Sequence, residues 1–431
     1  MSSPAPSGID IPVFPADSHR YPGVRSFQEP DSLKFFGRRR ATEELLLRVL
    51  SVRLLLQFAP SGAGKTSLLN AGLFPRLRPH GYFPVMIRLN RAEESLMEST
   101  IRSLNAAAES LRLNDPEIPR HAEDLWTLFS RVRLWTPDLQ LLAPVLVFDQ
   151  FEEIFTLRDD AFRRNFASEI GELSRGRRVG ADAPEGPPPD VKIIISLREE
   201  YLGALEEMTV AIPELFRERL RLMPLTAEEG REAIVEPARL DGEWQSPPFA
   251  FEPACVDSLI DFIDGVSERV HIIEPLTLQL VCQRAEEIVA ARSNEVAPPR
   301  LTLEDFGGAD GLERLVHSYY KTQLEKLPDR ATRKRAAAMF ERGLLDSTGK
   351  RLMLQQDEIA REYGLNDAVL AQLVESRLLR REPRHESIFY EISHDRLTDV
   401  IATHRSARLP GWARHALTIA LSSSSCCSAP F

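Results

Sequence analysis

The stretch Leu54 to Leu69, LLLQFAPSGAGKTSLL, limits what this chain can fold into more than any other segment. An apolar run ends in a Gly-rich turn, and the turn leads straight into a helical pattern. In such a strand, turn and helix, successive backbone N–H groups converge on phosphate oxygens at the helix start. Pro60, Ser61, Gly62, Ala63, Gly64, Lys65, Thr66 and Ser67 form the turn and its exit. Gly62 and Gly64 admit a phosphate without a Cβ in the way, Lys65 would lie against the β- and γ-phosphates, and Thr66 would offer its hydroxyl to Mg²⁺. The alternative is an ordinary Gly-rich turn capping a helix, against which the preceding strand argues. The pattern also asks for glycine five positions before Gly64, where this chain has Ala59, so a cost arises if that position needs positive φ.

Further apolar runs at Val52 to Phe58, Phe83 to Leu89, Pro144 to Asp149 and Val191 to Leu197, with a shorter one at Leu220 to Met223, alternate with helical patterns. That alternation predicts a doubly wound α/β domain over about residues 21–223. Ser174 to Asp190 reads as a surface loop inside it. Asp149 ends a buried strand, where α/β sheets bind ligands, and would anchor Mg²⁺. Gln150 follows it; a glutamine can orient water but cannot accept its proton, so turnover is expected to be slow. Glu152 or Glu153 would serve as the base, or the two begin a solvated acidic helix. Arg198, closing the run VKIIISLR, would read a γ-phosphate or pair with Glu199 or Glu200.

After residue 223 the periodicity becomes helical, predicting an all-α domain over 224–300. Over 301–405, the helices Gln355 to Tyr363 and Asp367 to Ser376 precede strands Leu378 to Arg381 and Ile388 to Ile392, the order of a winged helix. Residues 1–20 and 406–431 are expected to be disordered tails, the latter native or truncated. A net charge of −10 and pI near 5.6 leave no global basic field for nucleic acid or anionic membrane. The candidate recognition helix, Asp367 to Ser376, carries no Lys or Arg, so nucleic acid is not the expected partner. No apolar run is long enough to span a bilayer. Cys255, Cys282, Cys426 and Cys427 suit neither a disulfide framework nor a zinc site, and a cytoplasmic location is expected.

These residues resemble the STAND class of AAA+-related P-loop NTPases, specifically the bacterial novel-STAND type found beside WD-repeat or peptidase-like domains. The likeness runs from about Tyr21 to Ile401 through YPGVRSF, KFFGRRRATEELL, APSGAGKTSLLNAGLFPRLR, VLVFDQFEEIF, IIISLREEYLGAL, LMPLTAEEGREAIVEPA, IIEPLTLQLVCQRAEE and FYEISHDRLTDVI. It departs at Ala59. The resemblance implies that Phe36, Gly37 and Arg38 line an adenine, that Pro275 packs against it, and that His394 reaches the β-phosphate of ADP. It implies a slow ATPase that works as an ATP/ADP switch between a closed and an oligomerising state, in bacterial signalling or defence, with a separate sensor or effector partner. The rival readings are an AAA+-type ATPase with a DNA-binding winged helix and a small-molecule P-loop kinase.

Overall fold

The computed structural model describes residues 18–178, 187–264, 273–292, 299–346, 349–384, 387–393 and 395–407. They fall into two compact units, one ending at Thr302 and one beginning at Leu303.

The first unit is built on five parallel strands: β1 (Leu54–Ala59), β2 (Tyr82–Ile87), β3 (Ala143–Asp149), β4 (Lys192–Arg198) and β5 (Arg219–Arg221). Their order across the sheet is β2-β3-β4-β1-β5. Near-continuous apolar runs produce this arrangement because a parallel sheet is covered on both faces. One face packs Phe83, Val85, Leu146, Phe148, Ile193 and Ile195 against a larger core. The other packs Leu55, Val145, Val147 and Ile194 against helix α1 (Arg39–Ser51) and helix α2. Helix α2 starts at Lys65–Ser67, takes π-helical geometry over Leu68–Leu73 and returns to α geometry over Phe74–Leu77. Three strong N-caps start the larger-core helices α3 (Leu96–Ser110), α4 (Leu125–Arg131) and α5 (Asp160–Arg175): Ser95, Asp124 and Asp159 each accept a backbone N–H. A short two-stranded pair, Asn114–Glu117 with Arg133–Trp135, was not evident in the sequence; its few residues carry no apolar alternation.

Several boundaries differ from those expected. Helix α5 runs to Arg175 with Ser174 buried, so the loop expected from 174 begins later, and 179–186 lie outside the described residues. The sheet and the helices α6 (Ala227–Arg239), α7 (Pro253–Asp264) and α8 (Pro275–Ala291) share one compact unit rather than parting at 223. Arg20 and Tyr21 tie the lead-in segment to these helices. Arg20 donates to Pro237 O, Leu240 O and the Ser246 side chain and carbonyl, its backbone N–H meets Glu286 of α8, and the Tyr21 hydroxyl donates to Ile234 O. Residues 18–20 are therefore not part of a disordered tail; 1–17 lie outside the described residues.

The second unit contains α9 (Gly308–Glu325), α10 (Arg330–Ala338), α11 (Gln356–Tyr363), α12 (Asp367–Glu375) and α13 (Asp395–Ala407). Its antiparallel sheet has the order β6 (Leu354–Gln355), β8 (Ser387–Ile392), β7 (Leu379–Arg384). Helix α13 continues through 407, past the expected start of the C-terminal tail at 406; 408–431 lie outside the described residues.

Candidate functional site

The C-terminal ends of β1, β3 and β4 converge with the start of α2. Between β1 and α2 the turn takes positive φ at Gly62 (81°) and Gly64 (93°). A Cβ at Gly64 would meet nothing within 4 Å, so glycine is required there by conformation, not by crowding. Ala59, by contrast, is still a strand residue. It pairs with Arg198 across the sheet and is not among the residues with positive φ, so the alanine costs the loop nothing.

Lys65 Nζ donates to Ala59 O at 3.1 Å and reaches Pro60 O at 3.5 Å. Burial lowers its pKa below the ordinary lysine value, with Glu152 and Asp149 opposing that effect. Thr66 Oγ1 donates to Asp149 Oδ2 at 2.8 Å, which joins the two residues expected to share a metal. Asp149 is 2% exposed, and its carboxylate is also met by Arg88 Nη2 at 3.1 Å on Oδ2 and Ser196 Oγ at 3.3 Å on Oδ1. A buried carboxylate needs such donors because unpaired ionic burial costs several kcal/mol.

Gln150 adopts the left-handed region, φ 55°, which costs a residue with a side chain on the order of 1 kcal/mol. The twist turns the chain into a short 3₁₀ helix over Phe151–Glu153. Glu152 is thereby buried rather than solvated, against the reading of an exposed acidic helix. Arg198 Nε lies 3.0 Å from Glu152 Oε1, and the Arg198 backbone N–H donates to Oε2 at 3.2 Å. Burial pushes the Glu152 carboxyl above the usual carboxylate range, while Arg198 and Lys65 pull it back. Glu199 is held instead by Arg221. Glu153 is half-buried one residue further on.

The lead-in residues do not all face a ligand. Gly37 has φ 79°, and a Cβ there would come 2.3 Å from Glu229 O, so it marks a close approach to α6. The buried Arg38 donates from Nη2 to Ala63 O at 2.9 Å and from Nη1 to Met223 O at 2.7 Å. Its guanidinium thus holds the turn from behind, and burial lowers its pKa to about 10. The hydroxyl of Ser67 accepts the Phe27 N–H at 3.1 Å, so this side chain is committed to the lead-in segment. Phe36 is half-buried. Pro275 opens α8, two residues after Ile273, which bridges Leu225. His394 lies outside the described residues.

The structure therefore brings together Lys65, Thr66, Asp149, Glu152 and Arg198. It adds Arg88, Ser196 and Gln57, which the sequence reading missed. The available signal was one polar residue interrupting or ending an otherwise apolar strand: LLLQFA, IIISLR and VMIR. Among the described residues no group of three or more His, Cys, Asp or Glu could hold a metal alone. Thr66 and Asp149 supply two hard oxygens, which suits Mg²⁺, an ion that takes its remaining ligands from phosphate and water.

A family model described as "Novel STAND NTPase 1" matches residues 21–409. No curated protein matches the chain. Among solved structures, the chain is similar to the Walker-type ATPase PABY2304 of Pyrococcus abyssi, at 14% identity over 88% of this chain and 98% of that one, TM-score 0.42. It is similar to the Aeropyrum pernix ORC1 protein in complex with DNA, at 17% identity over 86% and 93%, TM-score 0.43. It is also similar to the Aeropyrum pernix ORC2 protein in ADPNP–ADP complexes, at 14% identity over 92% and 98%, TM-score 0.41. Likenesses this distant say nothing about what this chain binds; the α/β core is established by its own sheet order and loop. No helix among the described residues is long and apolar enough to cross a membrane.

Proposed function

Because the chain belongs to the novel STAND NTPase 1 family, we propose that it is an adenine-nucleotide switch that binds ATP or ADP at the Lys65 turn and hydrolyses ATP slowly. The observation that carries this is the Glu152–Arg198 pair. Glu152, a buried carboxylate suited to activating water, is engaged by Arg198, a guanidinium suited to reading a γ-phosphate. Each group is withheld while it holds the other, and Gln150, next to Asp149, cannot take a proton. A site so arranged favours retaining a nucleotide over turning it over.

Lys65 and the turn amides bind the phosphates, Arg38 keeps the turn in shape, and Thr66 with Asp149 would hold Mg²⁺, which neutralises phosphate charge. The unit from Leu303 is read as helical and winged-helix, and His394 as the residue that favours ADP. ATP would favour an oligomerising form and ADP a closed one, since the two nucleotides differ by the γ-phosphate. A sensor or effector partner would receive the change.

The test combines single-turnover hydrolysis with light scattering in ATP and in ADP. Turnover far below about 10 s⁻¹, an ordinary enzyme rate, and a nucleotide-dependent mass or shape are expected. Ordinary turnover, or identical mass and shape in both nucleotides, would overturn the switch reading.

A second reading keeps an AAA+-type ATPase whose second unit touches DNA. It is favoured by α10, where Arg330, Lys334 and Arg335 are exposed. Salt-sensitive retardation of duplex DNA, lost in a triple substitution of those residues, would support it.

A further inference from the structure

Three adjacent strands carry a polar residue at the same level of the sheet, and a fourth polar residue, Arg88, directly follows β2 at that level. Phe148 of β3 pairs with Ile87 of β2, which sets Arg88 beside Asp149; Asp149 pairs with Ser196 of β4, and Ser196 with Gln57 of β1. Laterally paired residues of a sheet project to one face. This face is the one α2 covers, and Thr66 reaches Asp149 from there. The row Arg88, Asp149, Ser196, Gln57 thus underlies the phosphate turn.

Arg88 differs from the other three. Asp149, Ser196 and Gln57 are buried, whereas the Arg88 side chain is 39% exposed. Among the described residues, Asp149 is its ion-pair partner, through the same Oδ2 that accepts the Thr66 hydroxyl. Both carboxylate oxygens are engaged, Oδ1 by Ser196. A divalent cation approaching Thr66 and Asp149 would seek the oxygen that Arg88 holds, and two cations at one oxygen repel each other.

We propose that Arg88 is a built-in competitor of the divalent cation for Asp149, so that metal-dependent nucleotide binding requires its guanidinium to swing away. This rests on the reading of Asp149 as the metal's anchor. The exposed end of the side chain has solvent to move into. Arg88 is a positioning residue in this scheme: it occupies the carboxylate when the metal is scarce and raises the Mg²⁺ level at which nucleotide is held.

The experiment titrates Mg²⁺ into the full chain with a fluorescent ADP analogue and follows nucleotide binding in wild type, Arg88→Ala, Arg88→Gln and Arg88→Lys. With one charged hydrogen bond removed, Arg88→Ala should reach half-saturation at about tenfold less Mg²⁺. Arg88→Lys, which keeps the charge, should stay nearer wild type. Thermal melts identify a variant that fails to fold, and Arg88→Gln then carries the comparison. An unchanged or higher Mg²⁺ requirement in the neutral variants overturns the competition, as does weaker nucleotide binding at saturating Mg²⁺, which would make Arg88 a phosphate ligand. If wild type binds nucleotide with no dependence on Mg²⁺, the anchor reading of Asp149 fails first and the competition falls with it.

Discussion

Two clusters of buried charge lie in the first unit, and they use their hydrogen bonds differently. Around Arg20 almost every donor has an acceptor. The guanidinium meets Ser246, Pro237 and Leu240, the adjacent backbone meets Glu286, and the Trp244 ring lies 5.6 Å from the Arg20 guanidinium and 5.7 Å from Lys34 Nζ. Lys34 in turn pairs with Asp31 at 3.0 Å and donates to His19 O. Around Asp149 the charges are concentrated but open. Lys65 donates to carbonyls at the head of its own turn, Arg88 is part-exposed, and Lys65, Arg88 and Arg198 lie among Asp149, Glu152 and Glu200. A saturated network fixes a fold, because breaking it leaves an uncompensated buried charge. A cluster whose cations are part-exposed or bonded only to neutral carbonyls has capacity left for an anion.

The largest effect is expected from Arg20→Ala. If the Arg20 network is structural, its loss should cost about 3–5 kcal/mol of stability, read as a lowered denaturation midpoint, while the remaining folded protein still binds nucleotide. Nucleotide binding abolished without loss of stability would contradict the assignment.

Lys65→Met tests the opposite cluster and should act in the opposite sense. ATP and ADP affinity should fall about 100-fold, a loss of some 2.7 kcal/mol by calorimetry, with the fold intact. The ligand-free variant should also melt higher than wild type at neutral pH. The folded pKa of Lys65 lies below the ordinary 10.5, so the protonated side chain penalises folding while both states are charged. That penalty fades as pH rises through the lowered folded pKa towards the unfolded one. The melting gap between variant and wild type should therefore narrow in alkali, and a gap that widens would refute the assigned direction.

The smallest effect is expected from Ala59→Gly. Restoring the glycine of the usual pattern should not tighten nucleotide binding, because Ala59 has ordinary strand geometry. It should lower stability by about 0.5–1 kcal/mol through added backbone freedom. A clear gain in affinity would mean that the position does need left-handed backbone in the bound form.

Much of the site was legible along the chain because it sits in contiguous motifs. The turn, Asp149 at the end of PVLVFD and Arg198 at the end of IIISLR all lie where a strand stops, and strands buried on both faces announce themselves as apolar runs. Arg88, Ser196 and Gln57 were not identified, since each is a single polar residue whose importance depends on which strands become neighbours. Motif position puts Ser67 at the exit of the phosphate turn, and the resemblance puts Arg38 beside an adenine. Their side chains instead hold Phe27 and the Ala63 carbonyl, partners that adjacency in sequence cannot reveal.

By itself, then, the sequence determined the local conformations: strand, turn, helix start and the identity of the residues at the strand ends, all set by short-range sterics and periodicity. The pairing of Glu152 with Arg198, the sharing of Asp149 by Thr66 and Arg88, and the tie between Arg20 and α8 were decided only by tertiary structure. The strand order β2-β3-β4-β1-β5 and the packing of α6 and α8 bring together groups dozens to hundreds of residues apart. Which of those charges meet depends on register and burial, and neither is a property of any local stretch of chain.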